Sequence, residues 1–146
     1  MKIIIDGDAC PSINLIEKCA NGYNIPVIII TDTSHNIVSN YSSIIIADKG
    51  SQSVDVKLIN LVGSGDIVIS QDYGVAAMTL SKNAYCINTN GMIYTNDNID
   101  LLLLNRHINQ KLRTNGKHIK GPRKRTTNDD KNLIESLEKI IKSIDK

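Results

Sequence analysis

Short runs of β-branched apolar residues alternate with helix-like segments along the first part of the chain, and that alternation leaves few folds open. Lys2–Asp6, Pro26–Thr31, Ser43–Ala47, Asp66–Ser70 and Ala84–Asn88 each read as a strand. Pro26–Thr31 and Ser43–Ala47 are continuous apolar runs, the pattern expected of strands covered on both faces. Between the strands, Pro11–Ala20 has helical spacing, with Pro11 tolerated in the first turn, Ile13, Ile16 and Ala20 on one face, and Asn21-Gly22 as a stop. Ser53–Val62 aligns Val54, Leu58 and Leu61, and Tyr73–Ser81 turns Ala76, Ala77 and Leu80 inward. Asp32–Asn40 is polar and reads as a loop. Strand following helix in this way predicts an α/β fold with a mostly parallel sheet and right-handed crossovers.

The later part changes character. Asn90-Gly91 marks a turn and Met92–Thr95 a short strand, followed by a helix over Asp97–Leu112. A basic loop then spans about 114–128, and an amphipathic helix over about 129–145 uses Leu133, Leu137, Ile140, Ile141 and Ile144. At 146 residues the whole chain, 1–146, is expected to form a single domain. With no Trp and no Phe, its core must be built from Ile, Leu and Val.

Several function classes recede on composition. No apolar run approaches the roughly 20 residues that span a bilayer, and Asp6 comes too early for a secretory leader, so no membrane is expected and the location is read as cytoplasmic. Cys10, Cys19 and Cys86 are odd in number and lack C-x-x-C spacing, which argues against a disulfide framework or a zinc site. Cys10 precedes a helix, but no histidine lies near it in sequence to activate a nucleophilic thiol. His107 and His118 read as surface residues.

The net charge of +2 conceals an asymmetry. Residues 1–104 carry 5 Lys+Arg against 10 Asp+Glu, whereas residues 105–125 carry 8 Lys+Arg and no acid. An acidic body joined to a basic segment suggests an anionic partner.

The aspartates carry the chemistry. Asp6 and Asp8 follow the first strand, with Gly7 between them allowing tight backbone geometry, and Asp72 follows the Ile67–Ile69 run. In an open parallel sheet these positions are the carboxyl ends of strands, where ligands bind. Asp55 falls in the first turn of its helix, where an acid also complements the helix dipole, and Asp72 also suits an N-cap. Taken together, Asp6, Asp8, Asp55 and Asp72 form a set of oxygen ligands for Mg²⁺ or Mn²⁺ and point to metal-dependent phosphate chemistry. Asp66 is expected at the opposite, amino end of its strand, outside the site.

The opening IDGDACP, the GSQSVDVKLINLV segment, the GDIVISQDYGVAAMTLSKNA block, the NGMIYTNDNI turn and the late R-x6-R-x2-G-x4-GP pattern resemble the YaiI/YqxD family of bacterial proteins over nearly the whole chain. That family is in turn similar to PIN-like nuclease domains. The resemblance implies a three-layer α/β/α fold of PIN type with C-terminal helices. It implies catalytic acids at Asp6, Asp55 and Asp72, with Asp8 as an additional metal ligand or supporting group, and cleavage of RNA or a related strand. Leu133 stands where an aromatic is common in the last helix of the family.

Arg106, Lys111, Arg113, Lys117, Lys120, Arg123, Lys124 and Arg125 are placed to track a phosphate backbone. Arg106 and Arg113 share a helix face and are candidate phosphate clamps. No aromatics interleave, so base stacking is not indicated within this segment. Three readings stand at this stage: a Mg²⁺- or Mn²⁺-dependent nuclease or phosphodiesterase, a non-catalytic RNA-binding module, and a phosphatase that phosphorylates Asp6 with Asp8 as acid. The last is disfavoured by the short chain and by the want of a downstream Lys before a strand ending in paired acids.

Overall fold

The computed structural model describes residues 1–33, 36–48, 51–116 and 124–144. Its centre is a six-stranded sheet of β1 (Ile3–Asp6), β2 (Val27–Asp32), β3 (Ser43–Ala47), β4 (Ile67–Ile69), β5 (Tyr85–Ile87) and β6 (Ile93–Tyr94). The strand order is β3-β2-β1-β4-β5-β6, parallel throughout except for the antiparallel β5–β6 pair. The helices are α1 (Ile13–Gly22), α2 (Ser51–Leu61), α3 (Tyr73–Ser81), α4 (Asn96–Thr114) and α5 (Thr127–Ile144).

The pleat of β1 sorts the core into two layers. Ile3 and Ile5 face one side and pack with Ile16 and Ala20 of α1 and Leu133, Leu137, Ile140 and Ile141 of α5. Ile4 faces the other side and packs with Val54 and Leu58 of α2, Val75 and Ala76 of α3, and Ile99 of α4. The result is a three-layer α/β/α arrangement. Leu133 is fully buried beside Ile87.

The structure departs from the sequence reading at β3, at both ends of α1 and at the start of α5. β3 is an edge strand, so its run is not covered on both faces, and Ile46 is 58 % exposed. α1 begins at Ile13, leaving Pro11 ahead of it; Ser12 at the N-cap position makes no side-chain capping bond, its hydroxyl donating to Asp130 instead. At its other end α1 continues through Asn21 and Gly22, and the left-handed residue that turns the chain is Asn24, at φ 56°. α5 starts at Thr127, two residues before the expected Asp129, whose carboxylate accepts from the Thr126 backbone N–H at 2.9 Å.

The chain crosses in one direction from β1 to β3, then returns past β1 to start β4 and proceeds the other way. β1 and β4 therefore flank a topological switch point, where an open parallel sheet forms a crevice at the carboxyl ends of its strands. Among the described residues no helix is long and apolar enough to cross a membrane.

Candidate active site

β1 delivers Asp6 to the switch point as its last residue, and the chain then enters a short 3-10 turn over Gly7–Ala9. Gly7 is required there by space. A Cβ on it would lie 2.8 Å from Ile29 Cγ2 and 3.1 Å from the Ile30 carbonyl oxygen, so β2 approaches the turn more closely than a side chain permits. The turn carries Asp8 toward the end of β2, where its Oδ1 accepts hydrogen bonds from Thr31 Oγ1 at 2.7 Å and from the Asp32 backbone N–H at 3.3 Å.

Across the switch point, β4 ends at Ile69 and Ser70-Gln71-Asp72 leads into α3. Asp72 is the N-cap of α3, with Oδ1 accepting from the Gly74 and Val75 backbone N–H groups at 2.8 and 3.1 Å. Ser70, almost fully buried, links the two strand ends. Its hydroxyl donates to Asp6 Oδ2 at 3.2 Å and accepts from the Asp72 backbone N–H at 3.0 Å. Asp55 lies a full turn into α2, since the helix begins at Ser51. No acid occupies the first turn, and the expected dipole role of Asp55 falls away.

Asp6 registers what these positions share. Its carboxyl is raised from 3.8 to about 6, first by burial and then by the charges of Asp55, Asp8 and Asp72, while the Ser70 hydrogen bond pulls the other way. Asp55 is raised as well, by burial and then by Asp72 and Asp8. The four aspartates named from the sequence thus come close enough to repel one another. They do not close into a cage. Among the described residues no group of three or more His, Cys, Asp or Glu side chains gathers tightly enough to hold a metal ion. Asp8 leans toward β2 and Asp72 spends one oxygen on its own helix, while Asp6 and Asp72 line a cleft between the strand ends.

That cleft, about 330 Å³, is lined by Asp6, Gln71, Asp72, Tyr73 and Arg106. Arg106 reaches it because it continues the inward stripe of α4 that runs through Ile99 and Leu103. Asp72 also shares a groove with Asp55 between α2 and α3. Arg113, two turns beyond Arg106, is exposed and is not among the residues lining the cleft. Lys124 is exposed, and Lys117, Lys120 and Arg123, like His118, lie outside the described residues. His107 is exposed, as the sequence suggested.

Arg125 is differently employed. Its guanidinium donates to the Thr89 carbonyl at 2.7 Å, to Asp130 Oδ1 at 2.6 and 3.0 Å, and to Ser12 Oγ at 3.1 Å. It ties the start of α5 to the end of β5 and to the start of α1, and the Ser12 and Arg125 contacts hold the Asp130 carboxyl below its ordinary range. The Cys10 thiol is buried and raised to about 11, chiefly by that burial, which keeps it in the protonated, unreactive form. Cys86 is raised in the same direction.

At the amino end of the sheet stands the counter-example. Asp66 accepts from Lys2 Nζ at 2.6 Å, the Lys2 backbone N–H at 3.1 Å and the Gly63 backbone N–H at 2.8 Å. Burial opposes ionisation, but these partners together outweigh it and the carboxyl is lowered. Asp66 is a structural clasp at the amino end of its strand, the end at which the sequence placed it. Sequence reasoning did not single out Ser70, Thr31, Gln71 or Tyr73. Their only signal was adjacency to the acids, and in the case of Thr31 the parallel register places it beside the start of the Asp8 turn.

No solved structure matches the chain. The family profile described as "Uncharacterized BCR, YaiI/YqxD family" matches residues 4–143. A UPF0178 protein of Clostridium kluyveri is 52 % identical over 141 residues, covering 97 % of this chain and 93 % of its own length. UPF0178 proteins of Clostridium tetani and Clostridium acetobutylicum are 51 % and 48 % identical, over 94 % and 97 % of this chain and the same shares of their own lengths. With the match running from the first strand to the last helix, the chain belongs to the YaiI/YqxD family.

Proposed function

We propose that this protein is a phosphodiester hydrolase acting on RNA or another nucleic acid, with the acidic cleft at the switch point as its active site. The observation that carries the reading is the state of Asp6: a buried carboxyl whose charge is opposed by its neighbour Asp8 and by Asp55 and Asp72 from distant parts of the chain. Like charges gathered at a ligand-binding crevice are costly, and a cation relieves them. Where many α/β proteins set a glycine loop to take phosphate directly, carboxylates stand here, so an anionic substrate needs a cation between itself and the protein.

The donor set suits a hard, hydrated ion. Mg²⁺ commonly takes only one or two carboxylates and completes its shell with water and substrate phosphate, which fits an open cleft better than a closed cage. Asp6 and Asp72 would hold it, with Asp55 and Asp8 adding charge behind them. Such an ion supplies charge neutralisation on the phosphate and an activated water. The chain's own residues do the positioning. Ser70 fixes Asp6 and Asp72 relative to each other, and the α3 cap fixes the rotamer of Asp72. Arg106 offers a guanidinium to a phosphate oxygen on the open side. By this reading the protein works in the manner of PIN-like nucleases.

Asp72→Asn tests the reading cleanly, because asparagine is as good an N-cap as aspartate and keeps α3 in place while removing the charge. Cleavage of single-stranded RNA with Mn²⁺ should fall by about a hundredfold or more in the variant. Unchanged cleavage would rule out the cleft as the active site. Salt-sensitive RNA binding without turnover in the natural protein would instead make it a binding module. A phosphorylated Asp6 trapped from a phosphate ester would make it a phosphatase.

A further inference from the structure

Resting on that reading, we propose that the polar cavity behind Gln71 and Tyr73 seats a nucleobase of the strand whose phosphate occupies the acidic cleft. This cavity is about 680 Å³, lies at the carboxyl end of β5, and exceeds the cleft in volume. Gln71 and Tyr73 line both spaces, so they form the wall between them. A phosphate on one side of the wall formed by Gln71 and Tyr73 would leave its own base free to reach the other side.

The lining selects a neutral, flat, hydrogen-bonding group. Tyr73 is partly exposed, and its ring is held edge-on to the buried Tyr94, with centroids 6.1 Å apart and planes at 70°. Tyr94 is held in turn by Asn88, whose amide donates to its hydroxyl at 2.9 Å. Gln71 is anchored through Nε2 to Thr89 Oγ1 at 2.5 Å, so its amide is presented in one orientation. Asn90, exposed at the rim, adds a second amide. Carboxamides match the paired donors and acceptors of base edges, and an aromatic ring is the usual stacking platform for an unpaired base.

A second phosphate is the wrong occupant. The positive group lining this cavity, Arg125, is already neutralised by Asp130, and Asp8 and Asp129 contribute to the same lining. A base in this position must have left its helix, so the substrate class is single-stranded or locally unpaired nucleic acid.

The test compares binding of a short oligo-adenylate with binding of the same length of base-free sugar-phosphate backbone, by fluorescence anisotropy with Ca²⁺ as the cation. The natural protein should prefer the base-bearing strand by roughly tenfold or more, the range of one aromatic–base stack. Tyr73→Leu, which keeps apolar bulk but removes the ring, should erase most of that preference, read as the ratio of the two affinities so that any change common to both strands through the shared cleft lining cancels. Equal binding of the two strands by the natural protein, with Mn²⁺-dependent cleavage intact, would overturn the base pocket alone. Failure to bind or cleave either strand would take the hydrolase reading down with it.

Discussion

Replacing Asp6 by asparagine should make this protein more stable, which is the reverse of what removing a buried, hydrogen-bonded acid usually does. Its carboxyl is displaced from 3.8 to about 6, and at ~1.4 kcal/mol per pH unit ionisation in the folded state costs about 3 kcal/mol at neutral pH. Asparagine removes the charge and keeps a carbonyl oxygen for the Ser70 hydroxyl, although a hydrogen bond to a neutral acceptor is weaker by about 1 kcal/mol. The expected net gain is about 1–3 kcal/mol, or roughly 3–10 °C in Tm for a chain of this size. The pH dependence follows from the direction of the displacement. Between about 4 and 6 the folded state binds the proton that the unfolded state has released, so the natural protein loses this stability as pH rises through that window. The advantage of Asp6→Asn should therefore be full near neutrality and vanish below about pH 4. Urea unfolding of both proteins in chelator, at several pH values, measures it. A variant that is less stable at neutral pH, or whose advantage does not change with pH, would refute the claim that repulsion and burial dominate at Asp6. Added Mn²⁺ should stabilise the natural protein by an amount that grows with the logarithm of its concentration above the dissociation constant, and leave the variant much less affected.

At the other end of the sheet the sign inverts. Asp66→Ala should cost about 2–4 kcal/mol by stripping the partners from Lys2 and Gly63. Because the folded carboxyl is lowered, that stabilisation is present above about pH 4 and disappears as pH falls, so acid titration of both proteins should show the gap closing. Gly91→Ala should cost about 2 kcal/mol or more in urea unfolding, since φ is +95° and a Cβ would lie 2.6 Å from the Asn132 backbone of α5. Gly116→Ala, at φ +79° with open space around it, carries the backbone strain alone and should cost about 1 kcal/mol. Iodoacetamide should label Cys10 very slowly in the folded protein at about pH 8, where a thiol raised to about 11 is ionised in roughly one molecule in a thousand, and rapidly after unfolding.

The strands were legible because each buried run is short, β-branched and bounded by a turn, and a parallel sheet leaves that mark regardless of strand order. Order itself was not legible. Nothing in Ser43–Ala47 distinguishes an edge strand from a central one, and the exposure of Ile46 follows from position in the sheet. Asp6 and Asp72 could be placed at strand ends from local pattern. The relation between them depends on β1 and β4 being neighbours, which is decided by a crossover more than 60 residues long in sequence separation. Asp55 was misjudged as a first-turn acid because the start of α2 lies earlier than its apolar spacing suggested. Arg125 read as one more member of a basic run. Its tie to Thr89 and Ser12 spans separations of 36 and 113 residues, which charge counting along the chain does not register.

The contrast between Asp66 and Asp6 shows how one short chain assigns opposite work to the same side chain. Both are buried aspartates at the ends of adjacent strands. Asp66 meets a lysine and two backbone N–H groups and is lowered. Asp6 meets a hydroxyl and three acids and is raised. The difference lies in where the few cations of the acidic body are committed. Lys2 clasps Asp66, and Lys82 and Lys57 donate to the carbonyls of Ile59 and Ile46. Among the described residues the positive group that lines the acidic cleft is Arg106, and it comes from the basic segment that follows the acidic body. That arginine is solvent-exposed, unlike the Lys2 that clasps Asp66. If the cleft works as proposed, a bound cation relieves the repulsion at Asp6, so stability without the cation and activity with it should trade against each other there.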